Sequence, residues 1–161
     1  VARDTSIVMQ VCTAGNLRTT ILCAEEARKH DAFDRFLIAT DTPTGSGIMP
    51  LGMIYTMIQI ASLSDFDPTW MIAACTGNVA EIYDLNSGYL RSGRDADIVV
   101  IDAPLGCTVD TALTAMKNGD PCAIGAVITD GIPRFVGRSR NTPPTTRPVR
   151  VARNEVRAEF V

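Results

Sequence analysis

One carboxylate stands apart in RFLIATDTPTGSGIMPLG, residues 35–52. Asp41 follows the apolar run 36–39 and Thr40, and it opens a loop of Pro, Thr, Gly and Ser that leads into a second apolar stretch. Two roles suit an ionisable group there. It can cap a turn or the following helix, because Asp side chains accept from nearby backbone N–H groups. Alternatively it is a catalytic or metal-binding carboxylate at the carboxyl end of a parallel strand, where α/β folds gather their chemistry.

The neighbouring residues narrow the choices. Gly45-Ser46-Gly47 could cradle a phosphate with backbone N–H groups. The phosphate-loop pattern needs a Lys that is absent here, and Pro50 stands where the dinucleotide pattern needs its third glycine. Ser46 or a cysteine acting as nucleophile would need an imidazole base. His30 is the single histidine; it sits at the basic end of a helix pattern, at the opposite end of a strand from Asp41. One histidine cannot build a histidine-ligated metal site by itself. The five cysteines, Cys12, Cys23, Cys75, Cys107 and Cys122, form no C-x-x-C pair and read as reduced, mostly buried hydrophobes. Asp97 and Asp102 bracket an apolar run and are expected to face solvent at the two ends of a strand.

The elements that must position Asp41 follow from periodicity. Residues 6–13, SIVMQVCT, read as a buried strand ending at Ala14-Gly15-Asn16. Leu17, Ile21, Leu22, Ala24 and Ala27 then recur at helical spacing, with Asn16 as N-cap and Arg28-Lys29-His30 suited to the negative pole of the helix. A strand over 36–40 and a helix over 51–63 come next. Strand, helix, strand and helix in succession imply βα units around a parallel sheet. Asp67-Pro68 signals another helix start. That helix should carry Trp70, Met71, Ala74, Val79, Ile82 and Tyr83 towards a core, with Gly77 weakening or bending it. From Asn86 onward the chain turns β-rich: a strand over 98–101, a short helix over 110–116, and two strands joined at Asp130-Gly131. The Pro- and Arg-rich segment from Arg138 onward reads as a solvated arm or a clip onto a neighbouring subunit.

Composition bounds the function classes. At 161 residues the chain can hold one ordinary domain with a core. Apolar residues make up 46% and charged residues 20%, which is globular rather than disordered. A net charge of −3 gives nucleic acid and anionic membranes no electrostatic footing. The run 49–63 is broken by Gly52, Thr56, Gln59 and Ser62, so it does not span a bilayer. A cytoplasmic location is expected. The chain lacks an initiator Met and enters a strand almost at once, so we expect it to be an excerpt of a longer protein.

Two stretches together resemble the C-terminal part of the metal-dependent amidohydrolases. FLIATDTPTGSGIMPLG is similar to the family's eighth barrel strand with its Asp. ACTGNVAEIYDLNSGYLRSGRDADIVVIDAPLG is similar to the family's helix with a T-x-N-x-A core followed by G-x-(I/L)-x-x-G-x-x-A-D-(I/L)-V-V. Arg94 stands where many members have Lys. The resemblance runs from about the seventh barrel strand to the tail, leaving out roughly the last dozen residues. SGIMPLGMIYTMIQIASLSDFDP and RSRNTPP are particularly similar to members that open cyclic amides.

What the resemblance implies is specific. The fold would be the C-terminal portion of a (β/α)8 TIM-like barrel, with its last βα units and an extra helix in residues 1–86. Strands of a small β-sandwich would fill 87–136 and a Pro/Arg-rich tail 137–161. The activity would be hydrolysis of a cyclic amide by a metal-activated water, with Asp41 as general base and acid and also as a metal ligand. Thr42, Thr44, Gly45 and Ser46 would line the substrate pocket. The cofactor would be zinc, in a binuclear zinc or zinc/iron centre, with most ligands outside this chain. The partners would be a small cyclic amide, the missing N-terminal part of the barrel and further copies in a homo-oligomer. Within the same resemblance stand another amidohydrolase of dihydroorotase, hydantoinase or deaminase type, and a non-catalytic scaffold subunit.

Overall fold

The structure is a computed structural model that describes residues 1–12, 16–42 and 50–150. Strand β1 (Met9–Cys12) leads into helix α1 (Leu17–Lys29), a 3₁₀ turn (Phe33–Arg35) and strand β2 (Phe36–Ala39). Helices α2 (Gly52–Ser62), α3 (Pro68–Cys75) and α4 (Gly77–Tyr83) follow. Then come β3 (Ile98–Asp102), α5 (Ala112–Asn118), β4 (Ala123–Thr129) and β5 (Ile132–Val136). The result is a mixed α/β chain with two sheets.

The βα reading of the first half holds. β1 and β2 pair in parallel, Met9 opposite Phe36 through Cys12 opposite Ala39, with α1 as the crossover. β1 is shorter than the run 6–13 suggested. Asn16 caps α1 by accepting from the Thr19 N–H, and Arg28 and Lys29 fill its last turn. Asp67 caps α3 in the same way, with Pro68 at the first position. Phe36, Leu37 and Ile38 are all buried, so β2 is covered on both faces. Its core partners include Ala24 and Ala27 of α1, Ile60 and Ala61 of α2, Phe66, and Met71 of α3.

Expectations about individual helix residues need correction. Leu22 is half-exposed, because burial on α1 follows Thr20, Ala24 and Ala27. The weakening expected at Gly77 is found as a break: α3 ends at Cys75, and α4 restarts at Gly77 after Thr76. Tyr83 accordingly lies outward, and Trp70 is partly exposed with its ring edge against Phe33, centroids 4.8 Å apart. The cysteines are free as expected, but only Cys122 is fully buried.

The second half forms an antiparallel sheet in the order β3-β4-β5, closed by a turn at Asp130-Gly131. Asp97 behaves as expected: it is exposed, and its carboxylate accepts from the Asp130 N–H at 2.9 Å. Asp102 does not. It is 5% exposed, and it accepts from the backbone N–H and the guanidinium of Arg147. A strand end becomes a buried site here because the segment after β5 folds back over it. Thr142 of that segment is buried, which corrects the picture of a purely solvated arm. Residues 151–161 lie outside the described residues.

The two halves pack directly. Met116 of α5 and Ile58 of α2 share a small core with Ala112 and Cys122. Lys117 of α5 donates to the carbonyl oxygens of Ala61, Ser64 and Phe66 at 2.7–2.9 Å. A helix carboxyl end leaves carbonyls unpaired, and the ammonium satisfies three acceptors at once.

Candidate active site

The parallel register brings the carboxyl ends of β1 and β2 level, at Cys12 and Ala39. Asp41 lies two residues beyond β2, exposed, with a φ of +55°. This left-handed conformation is uncommon outside glycine, and Asp is among the residues that adopt it. The chain therefore turns sharply at Asp41, which holds the carboxylate at the rim of the sheet. Thr40 is half-buried, and its hydroxyl accepts a long hydrogen bond, 3.4 Å, from the Thr42 N–H. Thr42 is exposed beside Asp41. Thr44, Gly45 and Ser46 lie outside the described residues.

The strand that carries Asp41 is fixed from its other end. Asn78, at the centre of the T-x-N-x-A pattern, donates its amide hydrogens to the carbonyl oxygens of Phe33 and Phe36, at 2.6 and 3.0 Å. A side-chain amide carries two donors, enough to bind both carbonyls flanking the 3₁₀ turn. The motif was visible in the sequence, but this role was not, because the acceptors lie more than forty residues away.

Other candidate groups are placed away from this rim. His30 closes the C-terminus of α1, at the entry side of β2, with its Nε2 3.3 Å from a Glu26 carboxylate oxygen. Among the described residues His30 and Asp41 therefore lie at opposite ends of β2. Cys75 packs its Sγ 3.2 Å from the sulfur of Met53, and burial pushes its thiol up to about 12. It stays protonated at neutral pH and is no nucleophile. Among the described residues no group of three His, Cys, Asp or Glu side chains could hold a metal. Asp41 can offer one carboxylate ligand.

A parallel βα pair with a carboxylate just past one strand end is an arrangement common to α/β enzymes. The amidohydrolase family model matches residues 1–141, and the chain belongs to that family. Among individual proteins it is similar to enamidase of Eubacterium barkeri, 36% identical over 148 residues, or 92% of this chain and 38% of that protein. The crystal structure of enamidase superposes with a TM-score of 0.88 at 35% identity, over the same shares of the two chains. A β-aspartyl dipeptidase from Fervidobacterium islandicum AW-1 superposes with a TM-score of 0.52 at 21% identity, covering 73% of this chain and 27% of that one. That second likeness concerns the fold alone. The chain spans 38% of the length of the enamidase that it matches.

Proposed function

We propose that these residues are the C-terminal portion of a (β/α)8 barrel hydrolase that opens a cyclic amide, a reading supported by the likeness to an enamidase. In this reading residues 1–86 are the last βα units with an extra helix, 87–136 are strands of a β-sandwich and 137–161 are the tail. The parallel pairing of β1 and β2 supports the barrel assignment, and the 92% coverage by an enamidase supports the substrate class. The observation that carries the reading is Asp41, turned outward just beyond a buried parallel strand.

The chemistry assigns Asp41 two proton transfers. Water adds to the amide carbonyl carbon, and the Asp41 carboxylate takes the proton that the water gives up. The same carboxyl group returns that proton to the leaving nitrogen as the C–N bond breaks, so the ring opens to an acid and an amine-bearing end. Thr42 lies beside Asp41 and is suited to orient the substrate through its hydroxyl, and Thr44, Gly45 and Ser46 are assigned to substrate binding in the same reading. A bound zinc or zinc/iron centre would supply carbonyl polarisation and a more acidic water. Asp41 fits as one ligand of it, and the others would come from residues outside this sequence.

The test uses the full-length protein. It should hydrolyse members of a panel of lactams and cyclic imides and lose that activity on chelation, with recovery on adding back zinc or iron. Activity confined to linear dipeptides, or none across the panel in metal-replete protein, would overturn the cyclic-amide reading.

A further inference from the structure

The segment after β5 is built onto the sheet in an unusual way. It leaves at Gly137, whose φ of +113° suits only glycine. It contains Pro143, Pro144 and Pro148, which have no N–H to donate, so few of its amides can pair. Those that do are specific. The Thr146 N–H donates to Ala103 O at 3.0 Å, and Pro144 O accepts from the Leu105 N–H at 2.8 Å. The Thr142 hydroxyl accepts from the Ile124 N–H at 3.3 Å.

Two features of the sheet are shaped to receive this segment. Asp102 is a buried carboxylate held chiefly by Arg147, through the N–H at 2.7 Å, Nε at 3.0 Å and a terminal guanidinium nitrogen, with the adjacent Ala103 N–H also donating to it. Gly125 lies under Val149, and a Cβ on Gly125 would collide with a Val149 methyl. Arg147 itself remains 69% exposed, so the attachment is made at a wet edge rather than in a core. A segment interrupted by three prolines, tied by a handful of specific hydrogen bonds and one charged anchor at an exposed edge, has the makings of a local opening unit.

We propose that residues 138–150 form a latch that unseats and reseats as one unit, keyed by Asp102 and seated over Gly125, while the three-stranded sheet beneath stays folded. Unseating bares the Asp102 carboxylate, the Ala103 carbonyl and the Leu105 N–H on one extended stretch next to β3. The latch thus governs whether that stretch is covered.

Amide hydrogen exchange on the intact protein tests this directly. In Asp102→Asn and in Gly125→Val, the Leu105 and Thr146 amides should exchange about tenfold faster or more, while amides of β4 paired with β5 keep their protection. Arg147→Ala, at an exposed position, gives the same readout should either buried substitution prevent folding. Equal acceleration in latch and sheet would make the segment an inseparable part of the core and overturn the proposal. Unchanged exchange of Leu105 and Thr146 in Arg147→Ala and Gly125→Val alike would overturn it too.

Discussion

Asp41 and Lys117 illustrate two opposite uses of a charge. Asp41 stands exposed just beyond a strand end, where the proposed reaction gives its carboxylate the proton transfers; Lys117 is drawn inward to satisfy carbonyls. Asp41→Asn in the full-length protein keeps the size of the side chain and its tolerance of a left-handed backbone, but removes the proton acceptor. Turnover should fall by about a hundredfold or more, the usual scale for a lost general base, with the fold intact. Near-normal turnover with unchanged metal content would return Asp41 to a capping role, in which Asn and Asp rank alike. Lys117→Met should lower stability by about 2 kcal/mol, because the helix-end carbonyls lose a charged donor. Lys117→Arg should recover only part of that loss, since a planar guanidinium does not replace a compact ammonium among three converging oxygens. Chemical denaturation of the three proteins measures both effects, and equal midpoints would show that water serves those carbonyls as well.

At the scale of elements, the junction between α3, α4 and the following turn explains why glycines stand where they do. Gly88 has a φ of +82°, and a Cβ there would lie 2.7 Å from the Ala80 Cβ and 2.9 Å from the Thr76 carbonyl oxygen. The turn after α4 can close onto that helix only if both positions stay small. Gly88→Ala adds left-handed strain to a backbone collision, so it should cost more than the ~1 kcal/mol typical of an incompatible Gly→Ala change. Gly93→Ala is the control: its φ is also positive, but nothing lies within 4 Å of the added methyl. A melting-temperature loss for Gly88→Ala no greater than that for Gly93→Ala would refute the collision. Asn78 completes this junction from the other side by gripping the turn that enters β2. The family pattern of Thr, Asn and Ala followed by Gly is therefore a contact between two elements, written as a short sequence.

For the molecule as a whole, local and distant signals were unequally legible. Asn16, Asp67-Pro68 and Asp130-Gly131 announce element boundaries because each acts on backbone within a few residues, and all three are found in those roles. Asp41 could be picked out for the same reason: the strand and the turn that place it are contiguous. Lys117 reaches carbonyls more than fifty residues away, and Asp102 meets Arg147 across forty-five. No periodicity encodes such pairings, so Asp102 read as a solvent-facing strand end. Its pairing with Arg147 has a measurable consequence in acid. The Arg147 guanidinium, aided by the N–H groups of Arg147 and Ala103, holds the Asp102 carboxyl at about 2, against an ordinary 3.8. Asp110 also lies near Arg147 and favours its charged form. A depressed carboxyl pKa stabilises the fold above the ordinary value, and that contribution disappears as pH falls through the folded value. Stability should therefore decline between about pH 4 and pH 2, more gently at high salt because Arg147 is exposed. Asp102→Asn should be less stable than the natural chain at pH 7, yet lose less between pH 4 and pH 2. Denaturation midpoints at pH 7, 4 and 2 for both proteins decide the matter. An Asn variant that declines as steeply in acid as the natural chain would place the acid sensitivity elsewhere, in groups other than the Asp102–Arg147 pair.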